Sequence, residues 1–384
     1  MKIGIVLSRP PGYSETFFRN KISGLINKGF EVELYVDQSD KGFKLCRQHS
    51  LPKSDVLHAV FNLISIIFKK PDRLIKFIRS ERREKKGFTE ISKNIYSCLH
   101  LLNSSGIDWI HFGFATMAVG RENIARTLNA RMAVSLRGFD ISRYPLKHPG
   151  VYRNIWNKVD KVHVISNALL QKAYMEGLPA TVDYAKISPA IDTGMFQFDG
   201  MRQPFPETLR LLTVARLHWS KGLEYTIQAL SILKNRGLDF HYTIAGDGKE
   251  LERIVHAAHQ LGISDKITFA GKVDHNKLKS HYENTDIYLQ YSVQEGFCNA
   301  VLEAQAMGLL CIVSDAEGLP ENIKDGESGW VVPRRSPELL ADKISEVVKM
   351  DVDLLSRFRN HAVIRVKESF NLEQQIDAFV EFYK

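Results

Sequence analysis

Short β-branched runs separated by longer amphipathic segments recur along the whole of this chain, and that rhythm leaves few folds open. Neighbouring parallel strands need long crossovers, most often helices, so the pattern predicts parallel sheets covered by helices. In the first half the strand candidates are 2–8, 31–36, 109–112, 132–136 and 161–165, with helical patterns over 16–27 and 117–129. In the second half, 211–215, 242–245, 267–270, 287–290, 310–313 and 329–332 read as strands. Their crossover helices are predicted over 221–234, 250–261, 276–283, 299–307 and 337–349. Between the halves, residues 188–206 hold three prolines and two glycines and read as a linker. The expected organisation is therefore α/β, with two Rossmann-like domains facing each other across a cleft. The first spans 1–190, a linker 191–206, the second 207–368, and a C-terminal helix over 369–384 returns toward the first domain. Open α/β sheets bind ligands outside the carboxyl ends of their strands, so the loops following the strands are where chemistry is sought.

Composition narrows the function classes. At 384 residues, 44% hydrophobic and 25% charged, the chain is a globular protein of two ordinary domains. No stretch approaches the ~20 apolar residues of a membrane span, and residues 2–8 are too short for a signal-peptide core. The four cysteines (Cys46, Cys98, Cys298, Cys311) show no paired spacing, so neither a disulfide framework nor a zinc site is implied. A cytoplasmic protein is expected. The net charge of +8 conceals an asymmetry. Residues 1–190 carry 30 Lys and Arg against 16 Asp and Glu, a net of +14, while the remainder nets −6. The basic excess is densest from Lys69 to Lys86, just after the apolar run at 61–68. Basic residues beside apolar ones suit an anionic lipid surface at the inner face of a membrane; a solvated helix face is the other reading. Nucleic acid fits less well, because no aromatics are interleaved to stack bases.

Three loops hold the residues suited to chemistry. In Ala215-Arg216-Leu217-His218-Trp219-Ser220-Lys221-Gly222, two cations stand where a strand ends and a helix begins. An Arg fork and a Lys point charge at such a place suit a diphosphate; solvated surface cations are the plain alternative. In Ala245-Gly246-Asp247-Gly248 the glycines permit a sharp turn and close approach of backbone, with Asp247 as ligand contact or helix cap. The stretch from Ser292 to Gly308 places Glu295 and Gly296 in a loop, begins a helix near Asn299, and sets Glu303 about one turn into it. Free N–H groups of residues 298–301 favour an anion, and the two carboxylates can accept hydrogen bonds from sugar or ribose hydroxyls.

In order, Arg216 and Lys221-Gly222, Ala245-Gly246-Asp247-Gly248, Phe269-Ala270-Gly271-Lys272-Val273, Glu295 with Glu303, Gly318-Leu319-Pro320-Glu321-Asn322 and Asp325-Gly326-Glu327-Ser328-Gly329 resemble the donor-binding domain of the family 4 retaining glycosyltransferases of the GT-B fold. The first half is similar more loosely, through Pro10-Pro11-Gly12, Ser14-Glu15-Thr16-Phe17, His111-Phe112-Gly113, Arg137-Gly138-Phe139-Asp140 and Val164-Ile165-Ser166. The resemblance covers nearly the whole chain. It implies a hexosyl transfer from a nucleotide-diphosphate-sugar to a glycan or lipid-linked acceptor, of the kind used to build bacterial surface polysaccharides such as lipopolysaccharide. Arg216 and Lys221 would neutralise the diphosphate. Glu295 would bind hydroxyls of the transferred sugar, and the backbone of Gly296, Phe297, Cys298, Asn299, Ala300 and Val301 would hold sugar and phosphate. Glu303 would bind ribose, Lys272 and Val273 would flank the base, and Gly246 and Asp247 would line the donor side. From the first domain, Gly12 would approach the diphosphate, His111 the sugar, and Arg137 and Asp140 the acceptor. No cofactor or metal is implied beyond the donor itself; the one Asp-x-Asp, Asp351-Val352-Asp353, is not at a strand end. The sequence departs from the family at Pro189-Ala190-Ile191-Asp192, where Asn-Gly-Ile-Asp is usual, at the single His111 in place of His-x-His, and at Cys298.

Other readings use the same residues. A glycoside hydrolase could take Glu295 and Glu303 as its two carboxylates, which then must lie about 5–9 Å apart, leaving Arg216 and Lys221 idle. A nucleotide-sugar isomerase, or a silent binding module, needs no acceptor at all.

Overall fold

The computed structural model describes every residue except 13–14, 53–55, 199 and 201, and describes the backbone alone at 56–60, 62 and 275. It divides into two units: Met1–Ile187 with Gln375–Lys384, and Ser188–Gln374. Residues 191–206, expected as a linker, group with the second unit, and the last ten residues with the first.

The first unit is built on a seven-stranded sheet in which all pairs run parallel. Its strands are β1 (Lys2–Leu7), β2 (Glu31–Val36), β3 (Arg47–Ser50), β4 (Trp109–Phe112), β5 (Arg131–Leu136), β6 (Lys161–Val164) and β7 (Asp183–Lys186). Their order is β3-β2-β1-β4-β5-β6-β7. β3 and β7 escape the hydrophobic pattern because they are four-residue edge strands of polar sequence, RQHS and DYAK. The inner strands are buried on both faces: Ile3, Ile5, Ile110 and Val134 have no exposed surface. The segment 117–129, expected as one helix, forms two short ones, Ala115–Ala118 and Ile124–Leu128. The break is at Gly120, with φ of 75° and room for no Cβ, since one would stand 2.7 Å from the Asn94 amide oxygen.

The second unit carries six parallel strands. They are β8 (Leu209–Val214), β9 (Phe240–Ala245), β10 (Ile267–Gly271), β11 (Ile287–Gln290), β12 (Leu310–Ser314) and β13 (Trp330–Val332), in the order β10-β9-β8-β11-β12-β13. Each crossover contains a helix: Leu223–Asn235, Leu251–Gln260, His275–Glu283, Asn299–Ala306 and, between β12 and β13, a short 3-10 turn, Leu319–Asn322. In each sheet the order reverses once, between β1 and β4 and between β8 and β11. Ligands of doubly wound sheets sit at that reversal, which in the second unit directs attention to the loops following Val214 and Gln290.

The C-terminal segment has a specific seat in the first unit. Phe379, Phe382 and Tyr383 are almost wholly buried, and the Trp109 indole N–H donates to the Tyr383 carbonyl (2.8 Å). Ile376 covers Gly24, where a Cβ would come within 2.4 Å. Asp351, the first carboxylate of the Asp-x-Asp, caps the helix Val352–Ser369 by accepting from the N–H groups of Asp353 (2.8 Å) and Leu354 (3.4 Å). Among the described residues no helix is long and apolar enough to cross a membrane.

Candidate active site

The loops after β8, β9 and β10 are stitched together by backbone. Ala215 N–H donates to the Ala245 carbonyl (3.0 Å), Leu217 N–H to Asp247 (2.9 Å), and Gly246 N–H to Gly271 (2.8 Å). This closeness explains the glycines. A Cβ on Gly246 would lie 1.8 Å from the Ala215 carbonyl oxygen, at a φ of 152° that side chains avoid. One on Gly222 would lie 2.1 Å from the Tyr291 carbonyl oxygen. The loop after β8 is thereby pressed against the loop after β11, and Val293 and Gln294 donate their N–H groups to the Ser220 carbonyl (2.8 and 3.1 Å).

At that junction the Lys221 ammonium pairs with Glu295. Both side chains retain 15% exposure. Burial pulls the Lys221 pKa down, but the Glu295 carboxylate holds it above its ordinary value. Glu295 also accepts a long hydrogen bond from the Ser292 hydroxyl (3.4 Å), and its carbonyl takes the N–H of Gly318 (3.0 Å). Arg216 is exposed, close enough for its charge to act on Lys221.

The helix Asn299–Ala306 begins at Cys298, and its start is fixed by a residue whose role was not legible. Asn322, fully buried, donates its amide N–H to the Cys298 carbonyl (2.9 Å) and accepts from the Cys298 N–H (3.0 Å). Its own carbonyl accepts from Gln305 (2.9 Å) and Arg365 (2.6 Å). This two-point clasp holds the chain where the helix presents its unpaired N–H groups. The Gly318–Asn322 segment was recognisable as a motif, but nothing in the sequence marked Asn322 as the residue that clasps the helix start. Burial pushes the Cys298 thiol up to about 12, so it stays protonated beside Glu295. Glu303 is 6% exposed and accepts from the Tyr282 hydroxyl (2.8 Å). Burial raises its pKa to about 7, with the Tyr282 hydrogen bond opposing. Gly296 and Phe297 are buried, and Phe297 packs on Phe370 (5.6 Å). Ala300 and Val301 continue the helix. Asp247 is exposed and accepts from the next N–H, that of Gly248 (2.7 Å). Lys272 is exposed and Val273 half-buried, just after β10.

The first-unit candidates are placed differently. Gly12 is exposed and donates its N–H to Glu15 (2.9 Å); Ser14, part of the same motif, lies outside the described residues. Arg137 lays its guanidinium over the Phe17 ring (3.6 Å), and one buried nitrogen, Nη1, has no hydrogen-bond partner among the described residues. Asp140, expected to border an acceptor, is fully buried. Its carboxylate accepts from the backbone N–H groups of Arg137 (3.0 Å), Gly138 (2.9 Å) and Ala115 (3.2 Å), so it fastens the loop after β5. His111, expected beside the sugar, is likewise interior, with no exposed surface. Alternation along β4 turns its ring into the layer occupied by Lys21, Ser135, His163 and Tyr383. The motifs mark where β4 and β5 end; alternation along β4 turns His111 inward, and backbone N–H groups of the loop after β5 draw the Asp140 carboxylate inward.

Residues 202–364 match the family described as Glycosyl transferases group 1. Over 97% of its length the chain is 26% identical to a protein of Escherichia coli K12 named for colanic acid biosynthesis, glycosyltransferase WcaL, of which it covers 96%. The chain is a glycosyltransferase whose second half carries the group 1 domain. It is also 25% identical to the amylovoran biosynthesis glycosyltransferase AmsK of Erwinia amylovora, over 92% of each chain. In fold it superposes on Anabaena HepE, solved with UDP-glucose, with a TM-score of 0.71 at 14% identity over 99% of both chains. The two Rossmann-like domains of this glycosyltransferase are thus those of the GT-B class, and WcaL and AmsK are both named as glycosyltransferases.

Proposed function

We propose that this glycosyltransferase moves a hexosyl group from a nucleotide-diphosphate-sugar to a hydroxyl of a glycan or lipid-linked acceptor, with retention of anomeric configuration, in the assembly of a surface polysaccharide. The observation that carries the donor assignment is the Lys221–Glu295 pair at the strand-order reversal, beside the clasped start of the Asn299–Ala306 helix. Here the two charges neutralise each other. A diphosphate would draw Lys221 and Arg216 to itself, and Glu295, released, would accept hydrogen bonds from the sugar hydroxyls. Charge developing on the leaving diphosphate would be met by the same two cations and by the helix N–H groups, a preorganised electrostatic contribution needing no bound metal. Glu303 would take a ribose hydroxyl on the oxygen that Tyr282 leaves open. That WcaL and AmsK are named for colanic acid and amylovoran biosynthesis supports a polysaccharide acceptor.

The test is turnover of UDP-, GDP- and ADP-sugars with a membrane extract as acceptor, in EDTA, with the product's anomeric configuration read by NMR. Retention, abolished in Glu295→Gln, is expected. An inverted linkage, or a requirement for added metal, contradicts the proposal.

A further inference from the structure

A second recess opens in the Ser188–Gln374 unit, and none of Arg216, Lys221, Glu295 or Glu303 lines it. It encloses about 180 Å³ between Trp219, Tyr225, Glu224, Glu250, Arg253 and Arg335, roughly six times the ~30 Å³ of a liquid water and room for one sugar ring. Its walls come from the start of the Leu223–Asn235 helix, the start of the Leu251–Gln260 helix and the loop after β13.

Three observations define what it takes. Arg253 lies between two carboxylates, donating to Glu224 (3.0 Å) and Glu250 (3.4 Å), so donors and acceptors alternate along the polar wall. Two glutamates and two arginines cancel, which gives no net attraction for an anion, while a purely apolar ligand would desolvate four charges. Trp219 remains 43% exposed at the edge, although the other tryptophans, Trp109, Trp156 and Trp330, are all at most 5% exposed. Arg335 is held at φ 60°, a left-handed conformation that costs a non-glycine residue energy and that clusters at ligand sites. An aromatic face for C–H groups, carboxylates that accept from hydroxyls and guanidinium groups that donate to them are together the complement of an uncharged saccharide.

We infer that this recess is a saccharide subsite, separate from the donor site, that holds one uncharged sugar residue. It stands independently of the donor assignment. The probes are methyl glucoside, methyl galactoside and methyl mannoside at millimolar to tens of millimolar concentration. Two readouts are used on the full chain: protection of Trp219 fluorescence from iodide, and saturation-transfer NMR of the sugar. At least one glycoside should protect Trp219 and show saturation transfer. Both signals should persist in Arg216→Ala and with saturating UDP, GDP or ADP. Saturation transfer should be lost in Trp219→Ala and in Arg253→Ala, each first shown by melting to be folded. No protection with any of the three overturns the inference. So does a signal displaced by nucleotide or abolished by Arg216→Ala, which would assign the sugar to the donor site, or one that survives Trp219→Ala and Arg253→Ala.

Discussion

At the scale of single residues, two buried networks set how the protein responds to pH. In the first unit the hydrogen-bond directions can be derived from one end. The Ile187 carbonyl only accepts, so His163 donates to it from Nε2 (3.0 Å), and a neutral His163 must accept at Nδ1 from Ser135 (2.8 Å). Ser135 then accepts from His111 Nε2 (2.7 Å), and His111 Nδ1 accepts from the Tyr383 hydroxyl (2.6 Å). Burial, with Lys21 adding to it, holds both histidines well below their ordinary pKa. A histidine depressed in the fold contributes stability that is present above the unfolded value near 6.5 and lost as pH falls below it. The ring resonances of His111 and His163 should accordingly keep their neutral positions at a pH of about 5.5 while the melting temperature declines. Titration of both rings near 6.5 would contradict the chain as drawn. Tyr383→Phe removes this bond but leaves His111 Nδ1 the longer contact to Lys21 Nζ (3.2 Å), and should cost about 1 kcal/mol in denaturant unfolding. In the second unit Glu303 titrates near 7, and the Tyr282 hydroxyl restrains its rise. If ionised Glu303 binds ribose, nucleotide affinity increases through pH 7, and Tyr282→Phe moves that increase to higher pH. Isothermal titration from acid to alkaline pH measures the midpoint; a midpoint unchanged by the substitution removes Tyr282 from the account.

At the scale of elements, the inner strands were legible to within two residues because a doubly buried parallel strand must be apolar throughout. β11 was expected at 287–290 and is Ile287–Gln290. The edge strands β3 and β7 were not, since one polar edge strand resembles any loop. The order of the sheets was not read from the sequence: Arg216, Lys221 and Glu295 converge because β8 and β11 are neighbours, although 74 positions separate Lys221 from Glu295. What could not be read was depth, as Asp140 and His111 show. The close approach of the loops after β8 and β9 gives a direct check. Gly246→Ala sets a methyl against the Ala215 carbonyl and should destabilise the protein by on the order of 3 kcal/mol, lowering the melting temperature and nucleotide binding together. A cost near zero would mean the loops are not apposed.

At the scale of the whole molecule, the uneven charge found in the sequence acquires a definite surface. The helix Val56–Lys69 leaves Phe61, Ile64, Ile67 and Phe68 exposed along one side, Phe68 by 82%, and Phe88 is exposed by 85%. Several basic residues nearby are engaged within the fold: Lys70 and Arg73 donate to carbonyls at 102–104, and Lys86 is ringed by Glu81, Glu84 and Glu122. Lys69, Arg79, Arg82, Arg83 and Lys85 are exposed. Large aromatics beside cations that form no ion pair among the described residues suit an anionic bilayer better than a plain solvated face. This glycosyltransferase should therefore sediment with phosphatidylglycerol vesicles at low salt and leave them as salt shortens the Debye length. Phe61→Ser with Phe68→Ser should abolish binding without altering nucleotide affinity; no sedimentation at any salt would return this surface to the solvent.

The donor site is the centre of the account, and thermal unfolding tests it most directly. Melting is followed with UDP, GDP, ADP, dTDP and CMP, each with and without EDTA, for the native protein and Arg216→Ala. A ligand at ~100 times its dissociation constant adds about 2.7 kcal/mol to the folded state, a readily measured shift. One nucleoside diphosphate should stand out, unaffected by EDTA and silent in the variant. No shift with any of them, or a shift that Arg216→Ala leaves intact, would contradict a diphosphate held by Arg216 and Lys221.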